Sequence, residues 1–194
     1  MKHALRALLV LTLLAPVVAA DNCHDTLFID STAYPIPEWW CGYKIDSLDL
    51  ADPATLVRLP VEMCYDSSRI YVNPDTKEAL LKMTEQAQKD SVFLIVKSGY
   101  RSPAYQRRIL KRRLDSGAVF DEVIKIVAPP GYSEHHTGRA VDFANNGTPF
   151  YKSKSYRWLK INAADYGFRE TYPQDDSGAV RWEPWHWYLP SEKK

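Results

Sequence analysis

Residues 133–142 read Ser133-Glu134-His135-His136-Thr137-Gly138-Arg139-Ala140-Val141-Asp142, an imidazole and a carboxylate on either side of a glycine. Glycine takes the backbone of a tight turn without steric cost. If the chain leaves a loop at Gly138 and enters a strand near Ala140, His135 and Asp142 converge on one point. A second segment, Glu183-Pro184-Trp185-His186, supplies another imidazole with a carboxylate close by. Three ligands of this kind, His135, Asp142 and His186, fit zinc and leave one tetrahedral position open for water, the pattern of a catalytic rather than a structural site. Hydrolysis at such a site also needs a base to take the proton of that water and return it to the leaving amine. Glu183 is the candidate. Strand positions three apart face opposite ways, so Glu183 and His186 share a site only if Pro184 distorts their segment.

The surrounding chain predicts helices and strands in mixed order. Asn73-Pro74-Asp75 opens a helix, with Asp75 as its cap, that runs to about Lys89 and gathers Ala79, Leu80, Met83 and Ala87 on one face. The apolar run Val92 to Val96 reads as a buried strand. Ser102-Pro103 starts a second helix to about Asp115, which Gly117 ends. After a loop with Pro129, Pro130 and Gly131 come a strand near Ala140–Phe143, a helix over about Ser153–Tyr166 closed by Gly167, and a strand over Arg181–Tyr188. Short connections and this order imply a single α+β domain over residues 73–194, with a small, mainly antiparallel sheet packed by helices and the zinc site on the sheet.

The first twenty residues read as an address. Lys2 and Arg6 precede an apolar run from Ala7 to Ala19 that is too short for a comfortable membrane span. Val18 and Ala20 occupy the small-residue positions of a signal-peptidase site, so cleavage before Asp21 is expected, giving a secreted, periplasmic chain without a stable membrane span. Lys2 and Arg6 leave with that segment, and the 25 basic residues fall just below the 24 acidic ones. Bulk charge therefore gives no reason to expect nucleic-acid binding. The basic cluster Arg107, Arg108, Lys111, Arg112 and Arg113 falls in one helix and reads as a solvated face. Residues 21–72, rich in aromatics, prolines and acids, read as an irregular arm over the domain, its tryptophans serving packing more than sugar stacking. Cys23, Cys41 and Cys64 all lie in the first third of the chain, without metal-binding spacing. In an oxidising compartment they imply one disulfide and one leftover thiol, with all three pairings open.

The pattern Ser133, His135, Gly138, Ala140 and Asp142, followed by Glu183, Trp185 and His186, resembles the double signature of the VanY-type D-alanyl-D-alanine carboxypeptidases. These are zinc peptidases related to lysostaphin and the hedgehog signalling domain. Ser98-Gly99-Tyr100-Arg101-Ser102, with Gln106 one turn into the next helix, is similar to the family's segment ahead of the zinc loop. The resemblance spans about Val72 to Leu189. It implies that Zn2+ sits on His135, Asp142 and His186, and that Glu183 is general base and then general acid. Arg101 and Ser133 would address the substrate's terminal carboxylate or the developing oxyanion, with Tyr100 and Gln106 lining the pocket and His136 outside the metal shell. The implied substrate is a peptidoglycan stem peptide ending in D-Ala-D-Ala. L,D-carboxypeptidase or endopeptidase activity, or zinc-dependent wall binding without catalysis, are the alternatives on the same scaffold.

Overall fold

A computed structural model of the chain describes residues 25–144, 147–174 and 180–191. The expected signal segment and Cys23 lie outside the described residues. In the arm, β1 (Thr26–Ile29) and β2 (Thr32–Pro35) form an antiparallel hairpin that turns through Asp30 at φ 51. Asp is among the few side chains that enter the left-handed region readily. From Glu38 to Ser67 the chain then proceeds in short 3-10 turns. Asp46 and Asp52 sustain two of them, each accepting a backbone N–H two residues on at 2.9 Å, the local competition that keeps such residues out of long elements. The strands β3 (Val57–Arg58) and β4 (Tyr71–Val72) close this region as an antiparallel pair. The arm thus holds more short regular structure than its composition predicts.

Helix α1 spans Pro74–Lys89 and is capped by Asn73, whose side chain accepts from Asp75 N at 3.0 Å. The cap is therefore Asn73 and not Asp75. Proline at the first helical position forces the residue before it into extended backbone, which is the geometry of a cap. Asp75 instead takes Arg139 at 2.7 Å. The strand expected at Val92–Val96 is displaced to β5 (Ile95–Ser98), because Ser91 at φ 58 and the Val92 N to Ala87 O bond still belong to the helix exit. Helix α2 (Pro103–Asp115) begins on the Ser102 cap as expected, and a single turn, α3 (Phe120–Val123), follows it without a clear sequence signal. The basic face of α2 is largely exposed, as expected, and it also makes contacts. Arg107 donates to the Phe28 carbonyl, and Lys111 reaches Asp30 at 2.7 Å, so this face holds the β1–β2 hairpin.

Strand β6 (Ala140–Ala144) is followed by α4 (Lys154–Asn162), which tightens into a 3-10 turn over Ala163–Tyr166 before Gly167. The two-residue strand β7 (Arg169–Glu170) was not expected. The last strand, β8 (His186–Tyr188), is shorter than the predicted Arg181–Tyr188, since Pro184 lacks the N–H a ladder needs and sits in a turn. The sheet runs β5-β6-β8-β7, antiparallel throughout. One apolar layer packs Leu80, Met83, Leu159 and Phe168 against Val96, Val141, Phe143 and Trp187 of the sheet, and a second joins the arm to α2 and α3 through Leu27, Ile29, Trp40, Leu110, Phe120 and Ile124. The architecture is the single α+β domain expected. No helix of the described residues is long and apolar enough to cross a membrane.

Gly99, just after β5, shows how tightly the sheet meets the arm. A Cβ there would lie 2.6 Å from the Tyr71 carbonyl oxygen and 2.7 Å from Ile70, whereas one at Gly42 would meet nothing within 4 Å. Gly99→Ala should therefore destabilise the fold by about 1–3 kcal/mol, and Gly42→Ala should stay within about 0.5 kcal/mol of the parent. Urea unfolding of both variants checks this, and equal midpoints would refute the close approach.

Candidate metal centre

The centre forms where the short 3-10 turn Glu134–Thr137 meets the ends of β6 and β8. Gly138 closes that turn at φ 67, and a Cβ there would come within 2.8 Å of Leu56. His135 is carried on the turn with 1% exposure, and its Nδ1 lies 2.6 Å from the Gly99 carbonyl oxygen. A carbonyl only accepts, so Nδ1 donates and the Nε2 lone pair is left for the site. Burial, aided by Arg101, lowers His135 to about 4, which keeps the ring neutral as a metal ligand requires. Asp142 on β6 is the direct cross-strand partner of His186 on β8. The ligand atoms of His135, Asp142 and His186 all lie within 4.8 Å of one another. Asp142 Oδ1 stands 3.2 Å from His135 Nε2 and 3.0 Å from His186 Nδ1.

His186 Nε2 lies 2.9 Å from Oε2 of Glu134, which is 6% exposed and also accepts from the Thr171 hydroxyl at 2.7 Å. Burial alone would discharge His186, but Asp142 and Glu134 outweigh it and raise the imidazole to about 10, so a cation bound at Nδ1 must displace a proton there. Asp142 is held well below the usual carboxylate range, its burial overcome by His135, His186 and Arg101. A cation fits this set: two imidazole nitrogens and a carboxylate oxygen converge, and Glu134 takes the far N–H of one imidazole, as a carboxylate behind a metal-binding histidine does. Sequence reasoning missed Glu134. The signal for it was a carboxylate adjoining a ligand histidine in the same short turn.

Glu183-Pro184-Trp185-His186 is a turn closed by His186 N donating to Glu183 O at 2.9 Å. The distortion demanded of Pro184 is present, and Glu183 lines one small cavity with Arg101, Gln106, Ser133, His135 and His186. Burial pushes the Glu183 carboxyl up to about 7, against the pull of His186. Arg101 donates from one terminal nitrogen to Asp142 Oδ2 at 3.2 Å and from the other to Gln106 Oε1 at 3.3 Å. Its Nε is buried with no partner among the described residues. Gln106 is fixed in turn by donating to the Ala128 carbonyl at 2.9 Å, and Ser133 is 3% exposed. Tyr100 stands apart, in an adjoining groove of about 590 Å³ that also borders Arg101 and Asp142. His136 lies outside the ligand trio, its Nδ1 placed 2.7 Å from the Arg101 carbonyl oxygen.

The comparisons agree with this geometry. Residues 69–191 match the model of the VanY D-alanyl-D-alanine carboxypeptidase family. A D-alanyl-D-alanine carboxypeptidase of Enterococcus faecalis is 35% identical over 118 residues, 56% of this chain and 44% of that one. The LdcB LD-carboxypeptidase structure aligns with TM-score 0.63 and 32% identity over 73% of this chain and 71% of that one. A vancomycin-resistance D,D-pentapeptidase VanY from a VanB-type cassette, solved with Zn(II), aligns with TM-score 0.54 and 28% identity over 68% of this chain and 82% of that one. The chain spans only 53%, 44% and 37% of three curated relatives it matches, about half their length. With the family model covering most of the chain and the motif residues drawn together in space, this protein belongs to the VanY family of D-alanyl-D-alanine carboxypeptidases.

Proposed function

We propose that the protein is a zinc-dependent carboxypeptidase that releases the C-terminal D-amino acid of peptidoglycan stem peptides. The observation that carries this reading is the small cavity beside the ligand trio, which Glu183 and Arg101 line together. A carboxypeptidase must hold a free carboxylate next to the bond it cuts. Arginine offers a planar fork of donors matched to that group.

Zinc held by His135, Asp142 and His186 would supply Lewis-acid polarisation of the scissile carbonyl and acidify water near it. The remaining work falls to the chain's own residues. Gly99 and Glu134 set the tautomers of His135 and His186. Arg101 and Ser133 hold the terminal carboxylate and fix the last peptide bond beside Glu183. Glu183 takes a proton from the attacking water and hands it to the nitrogen of the departing residue, a role suited to a carboxyl whose pKa lies near neutrality. The upstream stem would lie along the groove bordered by Tyr100, Arg101 and Asp142.

A second reading, L,D-cleavage on the same site, is supported by the likeness to LdcB. The exported, periplasmic location rests on the N-terminal address segment. Cys64 is buried and free, and one disulfide in the exported chain belongs to the same proposal.

Mass spectrometry of products from defined pentapeptide and tetrapeptide stems tests the reading. Loss of D-alanine from the pentapeptide is expected; cleavage of the tetrapeptide alone would transfer the assignment to L,D-cleavage, and no loss from either would overturn it. Glu183→Ala should retain zinc while turnover falls by about 10²–10⁴, whereas His186→Ala should lose both. Unchanged turnover in Glu183→Ala would remove Glu183 from the mechanism. Glu134→Gln should weaken zinc binding by about 10- to 100-fold, read by competition with a chromogenic chelator, and undiminished affinity would deny Glu134 its supporting part.

A further inference from the structure

Trp40 belongs to the arm and precedes the part of the chain that matches the family, residues 69–191. Its indole is 1% exposed and is pinned by Nε1 donating to the Ile124 carbonyl at 3.1 Å. It packs edge-on against Tyr172 with centroids 6.3 Å apart, and Tyr172 in turn lies 5.1 Å from the ring of His186. The same indole lines the small cavity that Arg101, Ser133 and Glu183 share, with Ala128 also in the wall. An arm residue is thus a rigid boundary of the space beside the metal ligands.

The cavity measures about 50 Å³. Since one water needs roughly 10–15 Å³, a cavity of this size suits a small group rather than a long side chain. An alanine leaving residue places five non-hydrogen atoms beyond its nitrogen: Cα, Cβ and the carboxylate. A leucine places eight. Resting on the carboxypeptidase reading above, we propose that Trp40 sets the size limit for the released residue, confining it to a methyl side chain or smaller. Contacts with the rings of Tyr43, at 5.4 Å, and Tyr172, together with one hydrogen bond, keep the indole from yielding, so the limit is set by a packed wall rather than a mobile one.

The zinc-loaded full chain should be given stem peptides identical except for a terminal D-Ala or D-Leu. The parent protein should favour D-Ala by at least about 100-fold in kcat/KM. Trp40→Leu should raise the D-Leu to D-Ala ratio by at least about ten-fold, and free D-leucine should begin to act as a product inhibitor. Trp40→Phe guards against a misfolded first variant and should shift the ratio in the same direction. Ala128→Leu should depress D-Ala release by narrowing the wall from within. A ratio unchanged in the folded Trp40 variants, or a parent that releases D-Leu as readily as D-Ala, would overturn the proposal. A parent that cleaves no stem would instead refute the enzymatic reading. Calorimetric binding of the two peptides then decides the wall alone: preference for D-Ala in the parent and its loss in Trp40→Leu supports it, and equal or absent binding refutes it.

Discussion

The antiparallel pairing of Asp142 with His186 across β6 and β8 is the constraint from which the centre follows. Directly paired strand residues on one face stand close enough for their side chains to meet, so two ligands are juxtaposed as soon as the sheet forms. The third, His135, cannot come from the ladder. It is delivered by the turn before β6, which Gly138 ends in a left-handed conformation and which the Gly99 carbonyl anchors from just beyond β5. All three strands that meet at the site therefore contribute to one ligand geometry. The buried charges among them are tolerable because each has a partner: Asp142 has Arg101, and His186 has Glu134.

The arm does more than cover the domain. Ile45 N donates to Gly131 O at 2.9 Å and Ala51 N to His136 O at 3.0 Å, so the loop bearing the ligand turn is held from outside by arm backbone. Asp25 accepts from Tyr132 at 2.6 Å and pairs with Lys44 at 2.6 Å, bringing the loop and two parts of the arm to one carboxylate. Preorganisation of this kind costs nothing at the moment of binding or reaction. It also explains why an arm outside the family match reaches the cavity through Trp40.

Much of this was legible in the sequence, and the failures share a cause. His135, Gly138 and Asp142 could be read because a glycine turn leading into a strand is local, and the Ser102 cap of α2 is equally local. Asp75 was mistaken for a cap because Pro74 acts on its preceding neighbour rather than its following one. The Val92–Val96 strand was misplaced because Val92 is buried by the end of α1, and apolar character alone does not distinguish that burial from a sheet's. Glu134 and Trp40 could not be assigned their parts, since each depends on contacts with residues far along the chain: His186 and Thr171 for one, Ile124 and Tyr172 for the other. The basic face of α2 is largely exposed, as expected, but its contacts to the hairpin through Arg107 and Lys111 were likewise out of reach of local reading.

X-ray absorption at the zinc edge of the purified chain addresses the central claim most directly. One zinc per chain with imidazole nitrogens and oxygens at about 2.0–2.2 Å, and with no sulfur, is the coordination expected of His135, Asp142 and His186. A shell containing sulfur at about 2.3 Å, or an unchanged spectrum in His186→Ala protein, would place the metal elsewhere and contradict the account.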